Sequence, residues 1–149
     1  MNLLLDTNVI IDYMGRQKPF FENAERIIAA GYFGNATLWA SVQSFKDAYF
    51  VLSHYVDSTR VQAAILKLLE VVHPVDLTGE DVTRAVKLQW DDLEDCLIAV
   101  SAAKANADCI ITRDCKGLAR SMTPTRTPSE WLREVREANS VTFNTIEID

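Results

Sequence analysis

The chain has 149 residues, of which 48% are hydrophobic, and it carries a formal net charge of −6. That length and composition suit one ordinary domain with its own apolar core, so neither disulfides nor a structural metal is needed for folding. The three cysteines lack a CxxC spacing, and only two histidines are present. These counts argue against a zinc site and a disulfide framework, and they favour a reducing compartment.

The sequence also argues against membrane insertion and export. No segment approaches the roughly 18 apolar residues of a membrane span, and Asp6 interrupts the first apolar run before it reaches signal-peptide length. We therefore expect a soluble cytoplasmic protein.

The negative charge is unfavourable for a nucleic-acid partner, but residues 104–136 carry seven basic and four acidic groups. That segment is either a mixed solvated surface or a basic rim beside an acidic centre.

Short apolar runs alternate with longer segments of helical periodicity, which is typical of an α/β fold. Strands are predicted at residues 3–5, 36–40, 71–77 and 108–112, with Pro74 at the edge of the third and an edge segment at 122–125. Helices are predicted to begin at residue 9 and to span 20–30, 42–55, 59–72, 79–89, 92–106 and 129–137, with a short helix after Asp114. This order predicts a mainly parallel sheet between helices. The domain is expected to span residues 1–138, and the tail 139–149 to be an edge strand or disordered.

Two aspartates follow predicted strands. Asp6 comes directly after the first strand, and Asp114 comes shortly after the strand at 108–112. In open parallel sheets, ligands bind beyond the carboxyl ends of the strands, so both carboxylates should lie at the same edge. Each could instead be a helix cap, because aspartate is a favoured N-cap residue.

A third aspartate, Asp47, lies inside the predicted helix 42–55, where a capping role does not explain it. It shares a helix face with Ser44 and Val51. Its carboxylate is either a surface acid or an inward acid that needs a partner. A helix between two strands of a parallel sheet can aim one such acid over the sheet edge.

A fourth aspartate, Asp95, lies one turn into helix 92–106, on a face that continues through Ala99 and Ala102. The small side chains on this face permit close packing, so a carboxylate here is informative. Asp92 is on nearly the same side and is either a further ligand or a cap. Glu94 is expected to point away into solvent.

Carboxylates brought within a few ångströms raise one another's pKa unless a cation compensates their charge. Mg²⁺ and Mn²⁺ prefer oxygen ligands and are held by a few carboxylates together with water and substrate phosphate, and such an ion can activate a water for attack on phosphorus. The sequence therefore predicts a site for Mg²⁺ or Mn²⁺. Its candidate ligands are Asp6, Asp47, Asp95 and Asp114, with Asp92 as a further possibility. The expected supporting or phosphate-contacting residues are Thr7, Asn8, Ser44, Thr112 and Arg113.

The residues around these acids resemble the motifs of PIN domains, the fold of the VapC-type toxin ribonucleases. The first PIN motif is similar to Leu-Leu-Leu-Asp6-Thr-Asn-Val-Ile-Ile-Asp12, and the second to Ser-Phe-Lys-Asp47-Ala-Tyr-Phe-Val-Leu. The third resembles Asp-Leu-Glu-Asp95-Cys-Leu-Ile-Ala, and the fourth resembles Ala-Asp-Cys-Ile-Ile-Thr-Arg-Asp114. The segment that opens the last helix is similar to Thr-Pro-Ser-Glu-Trp131-Leu, so the likeness covers roughly residues 2–133.

This resemblance implies a three-layer α/β/α fold, dependence on Mg²⁺ or Mn²⁺, and endonucleolytic cleavage of RNA. The family's ligand positions fall on Asp6, Asp47, Asp95 and Asp114, with Thr112 near the site. For a toxin, the resemblance further implies a small antitoxin partner and homodimerisation, which is common in the family. Two positions depart from the family pattern. Asp47 stands where Glu is more common, and Gly117 stands where many relatives carry the acid of an Asp-Phe pair.

Two other classes of protein remain open at this point. Gly117 favours a PIN-like binding module that acts through protein contacts, with weak or absent metal binding. A receiver or a phosphatase of the haloacid type also gathers acids at strand ends. Such a phosphatase needs a second Asp two residues after the first, and Asn8 stands there instead.

Overall fold

The structure is a computed structural model, and it describes residues 1–139. The strands are β1 (Asn2–Leu5), β2 (Thr37–Ser41), β3 (Val72–Val75), β4 (Cys109–Ile111) and β5 (Thr125–Arg126). The helices are α1 (Thr7–Met14), α2 (Phe21–Tyr32), α3 (Val42–Leu52), α4 (Ser58–Leu68), α5 (Gly79–Lys87), α6 (Leu93–Lys104) and α7 (Pro128–Asn139). Within the described residues, no helix is both long and apolar enough to cross a membrane.

The five strands form one parallel sheet in the order β3-β2-β1-β4-β5. Leu5, the last residue of β1, is paired with Ala40 of β2 on one side and with Ile111 of β4 on the other. The carboxyl ends of these three strands therefore lie at one level. The edge position predicted for Pro74 is confirmed, because β3 is the outermost strand on its side and an edge strand tolerates a missing ladder donor.

Side chains of β1 alternate between the two faces of the sheet, as the pleat requires. Leu3 and Leu5 belong to the larger apolar cluster, which joins the sheet to α1, α2, α3, α4 and α7. Leu4 belongs to the cluster on the other face, with Ile98 of α6 and Ile110 of β4. Helices thus cover both faces, and the predicted three-layer α/β/α fold with a parallel sheet is confirmed.

Two local predictions are wrong. The segment after Asp114 is not a helix, because residues 115–120 form successive turns in which the N–H groups of Leu118, Ala119 and Ser121 bond to the carbonyls three residues back. The edge segment predicted at 122–125 is paired only from Thr125 to Arg126. Residues 140–149 lie outside the described part of the chain, so the predicted tail stays a prediction.

The first testable prediction concerns the layer that contains Leu4, which is fully buried. Leu4→Ala should lower the free energy of unfolding by about 2–5 kcal/mol, because it removes buried methyl groups and leaves a cavity. Urea denaturation measures this change. The control is Leu66→Ala on α4, where the side chain is 69% exposed, and it should change stability by less than about 0.5 kcal/mol. Equal losses in both variants would contradict this placement of the core.

Candidate functional site

Asp6 begins the site at the carboxyl end of β1. Its backbone N–H donates to the carbonyl of Ile111 (2.9 Å), and its side chain caps α1 by accepting from the Thr7 N–H (2.7 Å). The hydroxyl of Thr112 donates to the second carboxylate oxygen at 2.7 Å. Burial raises the pKa of Asp6, the two hydrogen bonds oppose this increase, and the charge of Asp114 adds to it. The side chain is therefore a fixed carboxylate that is costly to ionise without a compensating cation.

Thr112 and Asn8 connect the ends of β1 and β4. The Thr112 hydroxyl oxygen accepts from the backbone N–H of Asp114 (2.9 Å) and from the side-chain amide of Asn8 (3.3 Å). The carbonyl oxygen of the same amide accepts from the backbone N–H of Arg113 (3.2 Å). Thr112 and Asn8 thus position the segment that carries Asp114, in agreement with a supporting role.

Asp95 lies in the first turn of α6, where Asp92 caps the helix by accepting from its backbone N–H (3.2 Å). Burial raises the pKa of Asp95 to about 6, helped by the negative charges of Asp92, Asp6, Asp114 and Glu94. Burial therefore makes ionisation of Asp95 costly, and the neighbouring acids add to this cost because no cation among the causes of the shift compensates them.

Gly117 explains how two of these acids come so close together. A Cβ atom built on Gly117 would lie 2.5 Å from Oδ2 of Asp95 and 2.6 Å from Oδ2 of Asp114. The backbone N–H of Gly117 also donates to Oδ1 of Asp114 at 3.1 Å. The two carboxylates therefore converge on space that any other side chain at position 117 would occupy.

Asp47 lines the same pocket from α3. Its half-buried carboxylate is 3.1 Å from the ammonium of Lys46. The start of α1 is tied to this helix by a hydrogen bond of 2.8 Å between the hydroxyls of Thr7 and Ser44. The pocket has a volume of about 410 Å³ and is lined by Asp6, Thr7, Asn8, Ile11, Gln43, Asp47, Phe50, Val51, Glu94, Asp95, Ile98 and Asp114.

All four predicted aspartates thus line one pocket, but three other sequence-based expectations need correction. Glu94 is exposed as predicted, yet it lines the pocket instead of pointing away. Asp92 is a helix cap and is not among the lining residues. The guanidinium of Arg113 is held outside the pocket, where it makes two hydrogen bonds to Asp12 (2.6 and 3.2 Å).

Asp12 closes the first motif of the sequence, but no role was predicted for it. It is only 2% exposed, and its charge is compensated by Arg113. An acid inside the apolar stretch of α1 carries the same signal that drew attention to Asp47, namely a carboxylate in a helix interior without a capping role. The pattern could therefore have identified it.

The donor set suits a hard divalent cation bound in an open site. Among residues 1–139, no three acidic, histidine or cysteine side chains are arranged to hold a metal ion by themselves. Mg²⁺ commonly takes only one or two carboxylates and keeps several waters or substrate oxygens. Asp95 and Asp114 supply two such carboxylates in front of Gly117, beside the charge of Asp6.

Comparison with known proteins identifies the family. The sequence model of a family described as PIN domain matches residues 2–116, which is well over half of the chain. The chain belongs to the PIN domain family. No curated protein matches this PIN domain.

Solved structures share its fold at low sequence identity. VapBC2 from Rickettsia felis, bound to a DNA fragment from its promoter, has a TM-score of 0.62 and 18% identity, covering 85% of this chain and 98% of that chain. VapBC-1 from nontypeable Haemophilus influenzae has a TM-score of 0.61 and 22% identity, covering 87% and 99%. FitAcB from Neisseria gonorrhoeae has a TM-score of 0.57 and 15% identity, covering 85% and 98%. These similarities support the three-layer fold of the PIN domain.

The raised pKa of Asp95 gives a prediction about stability. Because this pKa is about 6 in the folded chain against 3.8 for an unperturbed aspartate, the folded state binds more protons between these values, and stability falls as pH rises through them. Asp95→Asn removes the titrating group. In EDTA, the free energy of unfolding of the variant relative to wild type should therefore increase from pH 4 to pH 6 and level off above pH 7. A pH-independent difference in urea denaturation would contradict this assignment.

Proposed function

We propose that this PIN domain is a metal-dependent endoribonuclease and the toxin of a toxin–antitoxin pair. The observation that carries the proposal is the convergence of Asp6, Asp95 and Asp114 in one open pocket, where burial first and the charges of neighbouring acids second raise the pKa of Asp95. Mg²⁺ or Mn²⁺ would compensate these charges. The phosphodiester of RNA would supply the remaining oxygen ligands.

Asp6, Asp95 and Asp114 are the proposed metal ligands, and Asp47 is the proposed fourth acid, contributed by α3. When bound, the ion supplies Lewis acidity and lowers the pKa of a coordinated water, which favours hydrolysis of a phosphodiester. The chain supplies the geometry. Thr112 donates to Asp6 and accepts from the backbone of Asp114, so one hydroxyl sets the relative positions of two proposed ligands.

The rim of the pocket suits a single-stranded nucleic acid. Phe50 lines the pocket and is 65% exposed, and exposed aromatic rings stack on unpaired bases. RNA is inferred over DNA from the resemblance to the VapC-type ribonucleases.

The proposed partner is a small antitoxin protein, by analogy with the VapBC and FitAB complexes that share the fold. Homodimerisation, common in the family, is proposed as well. Co-expression with the product of the neighbouring gene tests the first proposal: an antitoxin should co-purify with the chain and suppress its growth inhibition. Sedimentation analysis of the isolated chain tests the second.

Cleavage of a labelled single-stranded RNA in Mn²⁺ tests the nuclease activity itself. Asp6→Asn and Asp95→Asn should each lower the rate by roughly 100-fold or more, because a bound metal stabilises the transition state by several kcal/mol. Asp108→Asn is the matched control, since Asp108 is exposed at the amino end of β4, on the opposite edge of the sheet. It should cleave at the wild-type rate.

Wild-type protein that neither binds Mn²⁺ in calorimetry nor cuts any RNA would contradict the nuclease proposal. That result would favour the binding module instead. Cleavage that persists in EDTA, or equal activity in Asp95→Asn and Asp108→Asn, would contradict the assignment of the site.

Gly117 offers a separate prediction about metal affinity. Gly117→Ala should weaken Mn²⁺ binding by about tenfold, the lower range seen when a group that orients metal ligands is lost, because the added Cβ displaces the carboxylates of Asp95 and Asp114. Isothermal titration calorimetry measures the affinity. Gly79→Ala is the control, as its added Cβ meets no atom within 4 Å. Unchanged affinity in Gly117→Ala would show that the space in front of Gly117 is not part of the site.

A further inference from the structure

A second cavity lies beside the acidic pocket and is not used by the proposed hydrolysis. It has a volume of about 250 Å³ and is lined by Phe20, Asn23, Arg113, Thr127, Pro128 and Ser129. Arg113 lines this cavity and the next residue, Asp114, lines the acidic pocket. Successive Cα atoms are about 3.8 Å apart, so the two cavities are connected by one short step along the backbone.

The wall of this cavity contains an aromatic ring with a guanidinium over it. The Cζ atom of Arg113 lies 4.1 Å from the centroid of the Phe20 ring, and Phe20 is 41% exposed. Two hydrogen bonds to the buried carboxylate of Asp12 fix the guanidinium in this position. Aromatic rings and arginine guanidinium planes are the surfaces on which proteins stack the bases of single-stranded RNA.

Asn23 supplies polar groups at the same place. Its side-chain amide is half-buried and makes no hydrogen bond to any residue within 1–139. The amide presents one donor group and one acceptor, a combination that pairs with N7 and the N6 amino group of adenine. Guanine offers two acceptors on that edge and matches only the donor.

We propose that this cavity binds one unpaired base of the RNA, preferably adenine, next to the nucleotide held over the acidic pocket. The inference rests on the proposed ribonuclease function and assigns the base preference of that function to Asn23, Phe20 and Arg113. The cavity volume agrees with the proposal, because it is smaller than the roughly 300–1,000 Å³ of sites that enclose drug-sized ligands and suits one planar ring system.

Nucleotide titration of the full chain in EDTA tests the cavity without metal or cleavage. Followed by NMR, AMP should shift the amide signals of residues 23, 113 and 129 and should bind about tenfold more tightly than GMP, CMP or UMP. Asn23→Ala and Phe20→Ala should each weaken AMP binding by about tenfold, the effect expected for loss of one bidentate contact or one stacking partner. Phe33→Ala removes an exposed ring at the other end of α2 (57% exposed) and should bind AMP as wild type does.

Several results would overturn the proposal. These are equal affinities for the four nucleotides, shifts confined to the acidic pocket, or wild-type binding of AMP by folded Asn23→Ala. Should Phe20→Ala fail to fold, Asn23→Ala still tests the proposal, since the Asn23 side chain makes no hydrogen bond to any residue within 1–139.

A cleavage experiment separates this inference from the proposed function. In Mn²⁺, Asn23→Ala should raise KM for an adenine-containing RNA about tenfold with little change in kcat, and it should lose the preference for adenine. Wild-type protein that binds AMP as expected but cleaves no RNA would support the proposed base-binding cavity and contradict the proposed nuclease activity. Cleavage by the wild-type protein with no preference for any base beside the cut would contradict the proposed role of the cavity but not the nuclease activity.

Discussion

The hydroxyl of Thr112 holds the site together, because it donates to the carboxylate at the end of β1 while it accepts from the backbone at the end of β4. Parallel pairing brings these two strand ends to one level, but pairing alone fixes only the backbone. The hydroxyl and the amide of Asn8 convert that alignment into fixed positions for Asp6 and Asp114. The side chains of Thr112 and Asn8 are neutral, so they fix the positions of the carboxylates without reducing the negative charge of the site.

The negative charges of Asp95 and Asp114 can lie close together because position 117 is a glycine. A side chain there would press Asp95 and Asp114 apart, whereas glycine lets the two carboxylates face the same space and donates its N–H to one of them. From the sequence, Gly117 is a missing acid that weakens the case for activity. The structure shows a second effect of this residue. Because glycine has no side chain, it leaves room for the carboxylates of Asp95 and Asp114. One fewer carboxylate also lessens the repulsion among them.

Much of the site follows from local pattern. Asp6 and Asp114 were predictable because strand ends in a parallel sheet share an edge, and Asp47 because an acid inside a helix has no capping role. The choice between a cap and a ligand was too strict, as Asp6 caps α1 and also lines the pocket. The prediction that Glu94 points away from the site is wrong. Helical spacing gives the direction of a side chain around the axis of α6, but it does not give the orientation of that axis relative to the sheet. The turns after Asp114 do not form the predicted helix. The residue pattern does not reveal this, because the turns depend on contacts at the site, such as those of Gly117 with Asp114.

The distribution of charge also bears on the proposed binding of RNA by an acidic chain. Of the seven basic groups in residues 104–136, four are committed within the fold: Lys104 to Asp81, Arg113 to Asp12, Arg126 to Glu134, and Arg120 to the carbonyls of Leu88 and Gln89. The stretch therefore offers less free positive charge than its composition indicates, and the mixed-surface interpretation fits it better than a basic rim. With weak attraction for the backbone phosphates, the proposed RNA binding would rely on phosphate contact at the proposed metal site and on stacking and hydrogen bonding to bases. The proposed ribonuclease should therefore depend little on salt for its affinity and strongly on which bases flank the cut.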